Sequence, residues 1–312
     1  MKVCSLCGKQ WSDNTKFCPV DGTTVIDIVP RVTSMRPSVR NKDKEKKIEK
    51  LDPWANLIGK TLNRTYQIEE KLGQGGMGAV FRARHLGIGD AVALKVISEE
   101  HTKDSVMLAR FRREAQAVRR LAHPNAVTVH DFNSTEEGLY FMVMEFVRGQ
   151  TLEQYLSEQG GVVSPQRALE ILRPVANALD VAHSLGIIHR DIKPANLMLC
   201  QDSAGREQIK VLDFGTARLT TNNDPDAVLL THQGQIFGTP FYMAPESVLG
   251  EPITHSVDIY SLGIVLYKML TGTLPFQSDK SMQVMMSHAH TLPDLPSARY
   301  PKLHTKHDGL IL

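Results

Sequence analysis

The stretch HRDIKPANLM, residues 189–198, concentrates polar side chains around a single proline. Asp191, Lys193 and Asn196 bring an acid, a cation and an amide within six residues of one another. Apolar residues interrupt this run at Ile192 and close it at Met198. The rest of the chain decides which chemistry needs these three polar groups together.

Composition and charge exclude several function classes. The 312 residues, 42% apolar and 22% charged, exceed one ordinary domain and predict a large domain with an appendage. A formal net charge of +2 is too small to indicate a nucleic-acid or membrane partner. The start lacks an apolar signal-peptide core, and the most apolar stretch, Tyr260 to Leu270, predicts a buried helix rather than a membrane span. We expect a soluble, cytoplasmic chain with no membrane segment and no nucleic-acid partner.

Three of the four cysteines lie in the first eighteen residues, which favours a metal site in a reducing compartment over a disulfide framework. CSLCGKQWSDNTKFCPVDG carries Cys4, Cys7 and Cys18, with Asp21 where a second Cys-x-x-Cys pair would place its last thiolate. It resembles a zinc ribbon with one substituted ligand, and aspartate can also bind zinc. We expect residues 1–26 to be a zinc-ribbon-like segment with structural Zn²⁺ and a regulatory or docking role. Free thiols of a decayed ribbon are the alternative.

Residues 27–58 are predicted to form a basic, flexible linker. Residues 31–50 hold eight Lys or Arg against three Asp or Glu and almost no aliphatic residues, a composition typical of disorder. A solvated tether is the simpler interpretation, and a docking site for an acidic partner is the alternative.

After the linker, short runs rich in β-branched and aromatic residues predict an antiparallel sheet. One helix, SVMLARFRREAQAVRRLAH at residues 105–123, interrupts these runs, and its apolar stripe includes Ala115, Val118 and Ala122. After Gly149 the apolar spacing lengthens to that of helices. A small sheet lobe followed by a larger helical lobe implies a ligand cleft between the two.

LGQGGMGAV, residues 72–80, sets glycines between two predicted strands. Gly73, Gly75 and Gly78 would let a hairpin backbone approach phosphate oxygens and present N–H groups to them. A plain hairpin turn is the alternative. A dinucleotide-binding fold is disfavoured, because the chain continues as a strand and not as a helix.

The next strand, VALKVI, directs Lys95 to the same face as Ala93. A lysine that points into a cleft needs a counter-charge. Glu114 lies nineteen residues later, on the inward apolar stripe of the predicted helix, and is the candidate partner.

Two further motifs follow the opening stretch: VLDFGTAR at residues 211–218 and GTPFYMAPE at residues 238–246. With the glycine loop, the strand lysine, the helix glutamate and HRDIKPANLM, they form the ordered set of six motifs of protein kinases. The sequence therefore resembles the protein kinase family, and specifically the bacterial Hanks-type serine/threonine kinases.

This resemblance implies an α+β fold with the two lobes of a protein kinase. The expected kinase domain covers residues 59–312, with a small antiparallel β-sheet lobe plus one helix at 59–147, a larger, mainly helical and incomplete lobe at 148–296, and an atypical tail at 297–312. A kinase domain that begins near Tyr66 should continue past Leu312, so the helical lobe is expected to be truncated.

The resemblance also implies roles for the catalytic side chains. Asp191 would accept the hydrogen bond and then the proton of the substrate hydroxyl, while Lys193 would steady the γ-phosphate of ATP. Lys95, oriented by Glu114, would contact the α- and β-phosphates. Thr239 would touch the Asp191–Lys193 pair and help to place the acceptor; a simple turn residue is the alternative.

The same resemblance implies the nucleotide and metal contacts. Asp213 and Asn196 would hold Mg²⁺, a cation that prefers oxygen ligands. Met144 would border the adenine, and the backbone of Glu145 and Val147 would bond to its edge, so that these two side chains would matter little. The residues expected to contact ATP or its metal are Leu72, Gly73, Gln74, Gly75, Gly76, Met77, Gly78, Val80, Ala93, Lys95, Met144, Glu145, Val147, Asn196, Met198 and Asp213.

Three further residues are expected to support the site. His189 and Phe214 should be core residues stacked between the lobes, without a chemical role. Asp258 lies in an apolar helix, where an unpaired carboxylate would be costly to bury. In this family such a residue bonds to the backbone amides of the catalytic loop.

The implied activity is transfer of the γ-phosphoryl group of ATP to serine or threonine hydroxyls of proteins. Lys193 and GTPFYMAPE resemble serine/threonine rather than tyrosine kinases. Arg190 precedes the catalytic aspartate, as in kinases that are switched on by phosphorylation of the activation segment. We expect autophosphorylation at Thr231, with Thr220 and Thr221 as alternatives, and a transient homodimer for the reaction in trans.

The end of the chain supports a second hypothesis. Glu246 would pair with an arginine of a late helix in this family, yet the only arginine after Arg218 is Arg299. Losing the partner of a buried carboxylate costs about 3–5 kcal/mol. The alternative function is therefore a truncated, weakly active or inactive kinase fragment that binds a nucleotide or a partner.

Overall fold

The computed structural model describes residues 2–4, 10–11, 25–27, 53–75, 78–98, 108, 112, 115–214 and 240–310, in two compact units, Met1–Leu51 and Asp52–Leu312. The first unit contains the strands β1 (Lys2–Cys4), β2 (Gln10–Trp11) and β3 (Val25–Asp27), paired antiparallel in the order β2-β1-β3. Cys4 ends β1. The other expected zinc ligands, Cys7, Cys18 and Asp21, and residues 28–52 of the linker predicted at 27–58 lie outside the described residues. The last residues of that predicted linker contain a 3-10 turn, Ala55–Leu57, with Leu57 buried.

Six strands of the second unit form one antiparallel sheet, which confirms the predicted sheet lobe. The strands are β4 (Thr61–Leu62), β5 (Tyr66–Gly75), β6 (Gly78–His85), β7 (Ala91–Ile97), β8 (Val129–Ser134) and β9 (Tyr140–Glu145). Their spatial order is β4-β5-β6-β7-β9-β8. Ala79, Phe81 and Ala83 alternate on the buried face of β6, because successive side chains of a strand point to opposite faces.

The helix predicted at residues 105–123 is represented by helical residues 108, 112 and 115–119. Ala115 and Val118 are buried, as their place on the apolar stripe predicts. Ala122 is exposed and the prediction for it is wrong, since the described helix stops at residue 119. Beyond that point the chain turns, and Leu121 takes the buried position instead.

The second half of the chain is mainly helical, as predicted. Its helices are α1 (Leu152–Glu158), α2 (Pro165–Ser184), α3 (Pro245–Leu249), α4 (Ser256–Thr271), α5 (Ser281–His290) and α6 (Pro296–Arg299). The predicted buried helix at Tyr260–Leu270 is α4, whose Val265, Tyr267 and Met269 are fully buried. No helix among the described residues combines the length and the apolar character needed to cross a bilayer.

A small sheet lies within the helical lobe and carries two of the motifs. Its strands are β10 (Gly149–Thr151), β11 (Leu197–Gln201) and β12 (Glu207–Val211), paired antiparallel in that order. A 3-10 turn, Pro194–Asn196, joins the opening stretch to β11. The catalytic loop candidate therefore ends on β11, and β12 leads directly to Asp213.

The described part of the tail at 297–312, expected to be atypical, is ordered by short turns. A 3-10 segment, Thr305–Leu310, follows α6. Asp308 accepts hydrogen bonds from the backbone amide and the hydroxyl of Ser297, at 2.9 and 2.7 Å. Leu303, which lies between Ser297 and Asp308 in the sequence, is buried. Side-chain bonds to backbone amides stabilise such short turns without an amphipathic repeat.

Candidate active site

Strand β7 holds Lys95 within the sheet, opposite Val80 on β6 and Met142 on β9. Its Nζ lies 2.9 Å from Oδ1 of Asp213, and the two side chains are 12% and 29% exposed. Burial raises the pKa of Asp213, but the charge and hydrogen bond of Lys95 act against it and hold that pKa below its usual range. Asp213 is therefore a carboxylate at neutral pH.

Several predicted site residues lie outside the described part of the chain: Glu114, Gly76, Met77 and Thr239. The Lys95–Glu114 pair and the contact of Thr239 with the catalytic loop therefore stay predictions. Where the chain is described, the cation of Lys95 contacts the metal-ligand candidate Asp213 directly.

The opening stretch folds so that its three polar groups touch. Nζ of Lys193 lies 2.8 Å from Oδ2 of Asp191. The amide nitrogen Nδ2 of Asn196 donates to the backbone carbonyl of Asp191 at 2.8 Å and to its Oδ2 at 3.0 Å. These bonds use both amide hydrogens of Asn196, so its carbonyl oxygen Oδ1 is the atom that can serve as a metal ligand.

Backbone bonds connect this loop to Asp213. The amide of Leu212 donates to the carbonyl of Asn196 at 2.8 Å. The ring of His189 bridges the same two segments, because its Nδ1 accepts from the amide of Asp191 and its Nε2 contacts the carbonyl of Leu212 at 2.7 Å. Since Nδ1 accepts, Nε2 carries the proton and donates. His189 is fully buried and packs edge-on against Phe214, as predicted for a core residue.

Asp258 of α4 anchors the start of the loop. Its two carboxylate oxygens accept the backbone amides of His189 and Arg190 at 2.8 and 2.7 Å, and Nε2 of His183 lies 2.8 Å from Oδ2. Asp258 is fully buried. Burial raises its pKa, yet the bonds from His183 and the two amides keep that pKa below the usual value.

Arg190 and Asp213 both have positive φ angles, of 66° and 58°. Non-glycine residues adopt this left-handed conformation at a cost, and it persists only where the surroundings impose it. In each case a neighbouring bond does so: Asp258 holds the amide of Arg190, and the amide of Leu212 is bonded to Asn196.

The residues expected around adenine lie on three strands. Ala93 on β7 is opposite Met144 on β9, and both are buried. Met198 is on β11. The amide of Glu145 donates to the carbonyl of Thr128 at 2.9 Å, which leaves the carbonyl of Glu145 as the group that can bond to a base.

The glycine hairpin is formed by the end of β5, which holds Leu72, Gly73, Gln74 and Gly75, and the start of β6, which holds Gly78 and Val80. Gly78 has a φ of 154°, and a Cβ at this position would overlap the carbonyl oxygen of Val96. A Cβ at Gly73 or Gly75 would meet no atom within 4 Å. Gly78 is thus required by the β6–β7 pairing, while the other two glycines border open space.

Sequence reasoning missed two residues of the site. His183 had no local signal, because its partner Asp258 is 75 residues away. Lys210 on β12 could have been found, since a strand lysine between buried Ile209 and Val211 needs a counter-charge as Lys95 does. Its Nζ lies 2.7 and 2.8 Å from the two carboxylate oxygens of Glu145. The Glu145 side chain thus has a structural partner, while the expectation that it matters little for adenine recognition stays a prediction.

Comparison with known proteins accounts for this arrangement. The family model of the protein kinase domain matches residues 66–308. The chain belongs to the protein kinase family. It is 42% identical over 244 residues to the serine/threonine-protein kinase pkn3 of Myxococcus xanthus, covering 78% of this chain and 44% of that protein. For the serine/threonine-protein kinase PrkC of Bacillus subtilis (strain 168) the identity is 37% over 243 residues, with 78% and 36% covered.

The fold is likewise that of solved kinase domains. The crystal structure of the Mycobacterium tuberculosis PknI kinase domain matches with a TM-score of 0.62 and 28% sequence identity, over 81% of this chain and 88% of that one. This confirms the predicted two-lobed kinase fold. The chain spans less than half the length of the curated relatives named above.

Membership of the protein kinase family implies the use of ATP and Mg²⁺, and the described residues fit both. The ionised carboxylate of Asp213 and the amide oxygen of Asn196 are hard oxygen donors of the kind that Mg²⁺ prefers. Among the described residues no group of three or more His, Cys, Asp or Glu is placed to hold a metal. Mg²⁺ bound with nucleotide phosphates needs only one or two protein ligands.

Proposed function

We propose that the chain is an ATP-dependent serine/threonine protein kinase that transfers the γ-phosphoryl group of ATP to serine and threonine hydroxyls of proteins. The observation that carries this proposal is the contact set of the opening stretch, in which Lys193 and Asn196 both hold Oδ2 of Asp191. Bonds from Leu212 and His189 tie that set to the segment of Asp213.

In the proposed reaction, Asp191 aims the acceptor hydroxyl. Its Oδ2 is occupied by Lys193 and Asn196, so we assign its other oxygen, Oδ1, to the hydroxyl and later to the proton. Holding a carboxylate by one oxygen fixes the direction of the second. Such positioning is the main contribution a kinase makes, because phosphoryl transfer leaves little covalent chemistry to the protein.

In the proposed reaction, lysine side chains and the metal neutralise the negative charge of the nucleotide phosphates, and oxygen ligands hold the metal. Asp213 and Asn196 would hold Mg²⁺, which withdraws charge from the phosphates when it is bound. Lys95 would contact the α- and β-phosphates, with Glu114 as its proposed second partner, and Lys193 would contact the γ-phosphate. The predicted adenine contacts at Met144, Glu145, Val147 and Met198 remain part of this proposal.

A direct assay tests the activity. The purified chain is incubated with Mg²⁺ and labelled ATP, alone and with a generic basic protein as acceptor, and compared with Asp191→Asn. We expect transfer by the wild type and a loss of at least about 100-fold in the variant. Equal labelling by both proteins would remove the proposed function.

Regulation is proposed to act through the activation segment, with Thr231 as the autophosphorylated residue and Thr220 and Thr221 as alternatives. These residues lie outside the described part of the chain. The proposal is based on Arg190, which directly precedes Asp191. It includes a transient homodimer in which one copy phosphorylates the other. Mass spectrometry after incubation with Mg·ATP tests it, and an absence of phosphate between residues 214 and 238 would contradict it.

A second candidate function is a weakly active module that binds nucleotide or a partner. Support comes from Arg299, the arginine that could have reached Glu246: its Nε lies 2.9 Å from Oδ2 of Asp294. Within the described residues, Glu246 has no ion pair. Nucleotide binding without phosphate transfer in the wild type would favour this second candidate.

The amino-terminal unit is proposed to bind one structural Zn²⁺ through Cys4, Cys7, Cys18 and Asp21, and to serve regulation or docking. The support is the ligand spacing and the reducing location that the cysteine usage indicates. Elemental analysis of the freshly purified chain should give one zinc per chain and much less in Cys18→Ser. A ratio near zero in the wild type would contradict the zinc site.

A further inference from the structure

A bidentate ion pair joins the two lobes at Glu145, one of the proposed adenine contacts. Glu145 ends β9, the strand from which the chain leaves the six-stranded sheet, while Lys210 lies on β12 of the helical lobe. Nζ of Lys210 is 2.7 and 2.8 Å from Oε1 and Oε2 of Glu145. Only 12% of the lysine and 29% of the glutamate side chain are exposed. This contact is therefore partly removed from water and is weakly screened.

The surrounding bonds give this ion pair a fixed geometry. Thr128 donates its amide to Oε2 of Glu145 at 3.2 Å and accepts the amide of Glu145 at 2.9 Å. One residue beyond Lys210, Val211 bonds through its amide and carbonyl to Asn125 and Val127, at 2.8 and 2.9 Å. Residues 125–128 thus hold both strands that carry the pair.

The ion pair also lies between two proposed adenine contacts. On β11, the residue directly opposite Lys210 is Met198. On β9, Glu145 supplies the backbone carbonyl that is assigned to the base, since its amide donates to Thr128. The proposed adenine slot includes Met198 and the edge-binding peptide of Glu145, and the ion pair ties the strand of Glu145 to the strand paired with Met198.

We infer that Lys210 is a positioning residue for nucleotide binding: its ion pair with Glu145 holds the Glu145 peptide in the position from which it bonds to the edge of the base. The inference rests on the proposed function, because it assigns the slot to adenine. Breaking the pair leaves a partly buried carboxylate without its cation, and that carboxylate must turn toward water. The backbone of Glu145 moves with its side chain, so the peptide that bonds to the base is displaced.

This role predicts a separation of kinetic effects. Adenine contacts are the same in the ground state and the transition state, so their loss raises KM for ATP and leaves kcat nearly unchanged. We expect Lys210→Met and Glu145→Gln each to raise KM for ATP and Kd for Mg·ADP about tenfold. The double variant should be no worse than either single variant, because the two residues act through one contact.

A matched control exists on the same strand. Glu207 of β12 forms an equally short bidentate pair with Arg167 of α2, at 2.6 and 2.7 Å, within the helical lobe. Arg167→Gln removes a comparable ion pair that does not reach the slot. It should change the melting temperature without changing KM for ATP by more than about twofold.

The experiment measures Kd for Mg·ADP by calorimetry, steady-state KM and kcat for ATP, and the melting temperature, on the full chain. Lys210→Arg, which can restore a bidentate pair, should return Kd to within about threefold of the wild type. The inference is overturned if Lys210→Met and Glu145→Gln keep the wild-type Kd, if their effects add in the double variant, or if kcat falls while KM stays constant.

The result also separates this inference from the proposed function. A wild type that binds Mg·ADP but transfers no phosphate defeats the proposed activity, while the Kd series still decides the role of Lys210. A wild type that binds no Mg·ADP defeats both. If Lys210→Met fails to fold, the milder Glu145→Gln and the Lys210→Arg variant provide the same comparison.

Discussion

Lowering the pH should destabilise the helical lobe through one buried histidine, His288 of α5. The ring is 4% exposed, lies edge-on to Phe276 at a centroid distance of 4.9 Å, and its Nδ1 is 2.7 Å from the hydroxyl of Tyr260. Burial lowers the pKa of His288 from 6.5 to about 4. Burial, with the charge of Glu246, raises the pKa of Tyr260 to about 12. The tyrosine therefore stays protonated and donates to a neutral imidazole at physiological pH.

The direction of the change in stability with pH follows from the pKa of His288 in the folded and in the unfolded protein. In the folded protein His288 takes up a proton only near pH 4, whereas the unfolded chain does so near pH 6.5. The stabilising effect of a neutral, buried His288 is fully present above pH 6.5 and is lost as pH falls from 6.5 to 4. One pKa unit corresponds to about 1.4 kcal/mol, so the loss reaches about 2 kcal/mol at pH 5 and about 3 kcal/mol at pH 4.

Urea unfolding of the wild type and of His288→Gln at pH 8, 6.5 and 5 measures this effect. Glutamine does not titrate, and its amide oxygen can accept the hydroxyl of Tyr260. All other groups titrate alike in both proteins, so the difference between the two free energies of unfolding isolates His288. We expect that difference to fall by about 2 kcal/mol between pH 8 and pH 5. Parallel curves over this range would refute the reasoning.

Three further outcomes follow from the site. Asp258→Asn sets an amide nitrogen against one of the two backbone amides, of His189 or of Arg190, so we expect a loss of about 3–5 kcal/mol in the free energy of unfolding, measured by urea titration; an unchanged value would contradict its role as anchor. Gly78→Ala would overlap the carbonyl of Val96 and should cost about 2–3 kcal/mol, measured against Gly75→Ala, whose Cβ meets open space. Lys95→Met should lower phosphate transfer at least about 100-fold while the circular dichroism spectrum stays that of the wild type; retained transfer would contradict the proposed role of this lysine.

The lobes and the motif positions were predictable because their signals are local. Alternating burial in β6 and the continuous apolar run in α4 follow from residue order alone, and the structure has both. The helix predicted at residues 105–123 shows what such local signals do not predict. Ala122 continues the apolar period, but the described helix stops at residue 119, and Leu121 is buried instead. Periodicity predicts a face and does not predict where the helix stops.

The supports of the site were harder to predict because they join distant residues. His183 and Asp258 are 75 positions apart, and Glu145 and Lys210 are 65 apart. Asp258 and Lys210 each signal locally that a partner is needed, but neither His183 nor Glu145 is marked as that partner by its own segment. Only the packing of α2 on α4, and of β9 near β12, turns them into a buried hydrogen bond and a partly buried ion pair. The order of the tail was hard to predict for a related reason, since Ser297 and Asp308 order it through bonds that carry no periodicity.

These long-range bonds explain how two strained positions can be maintained. Arg190 and Asp213 have positive φ angles on either side of the proposed reaction centre, and neither is a glycine. Asp258 fixes the first through its amide bond, and the bonds of Leu212 to Asn196 and His189 fix the segment of the second. Asp258 and His189, which supply side chains to these two anchors, take no part in phosphate transfer. Weakening an anchor should therefore relax the strained backbone, and lower the rate of transfer, before it unfolds the helical lobe.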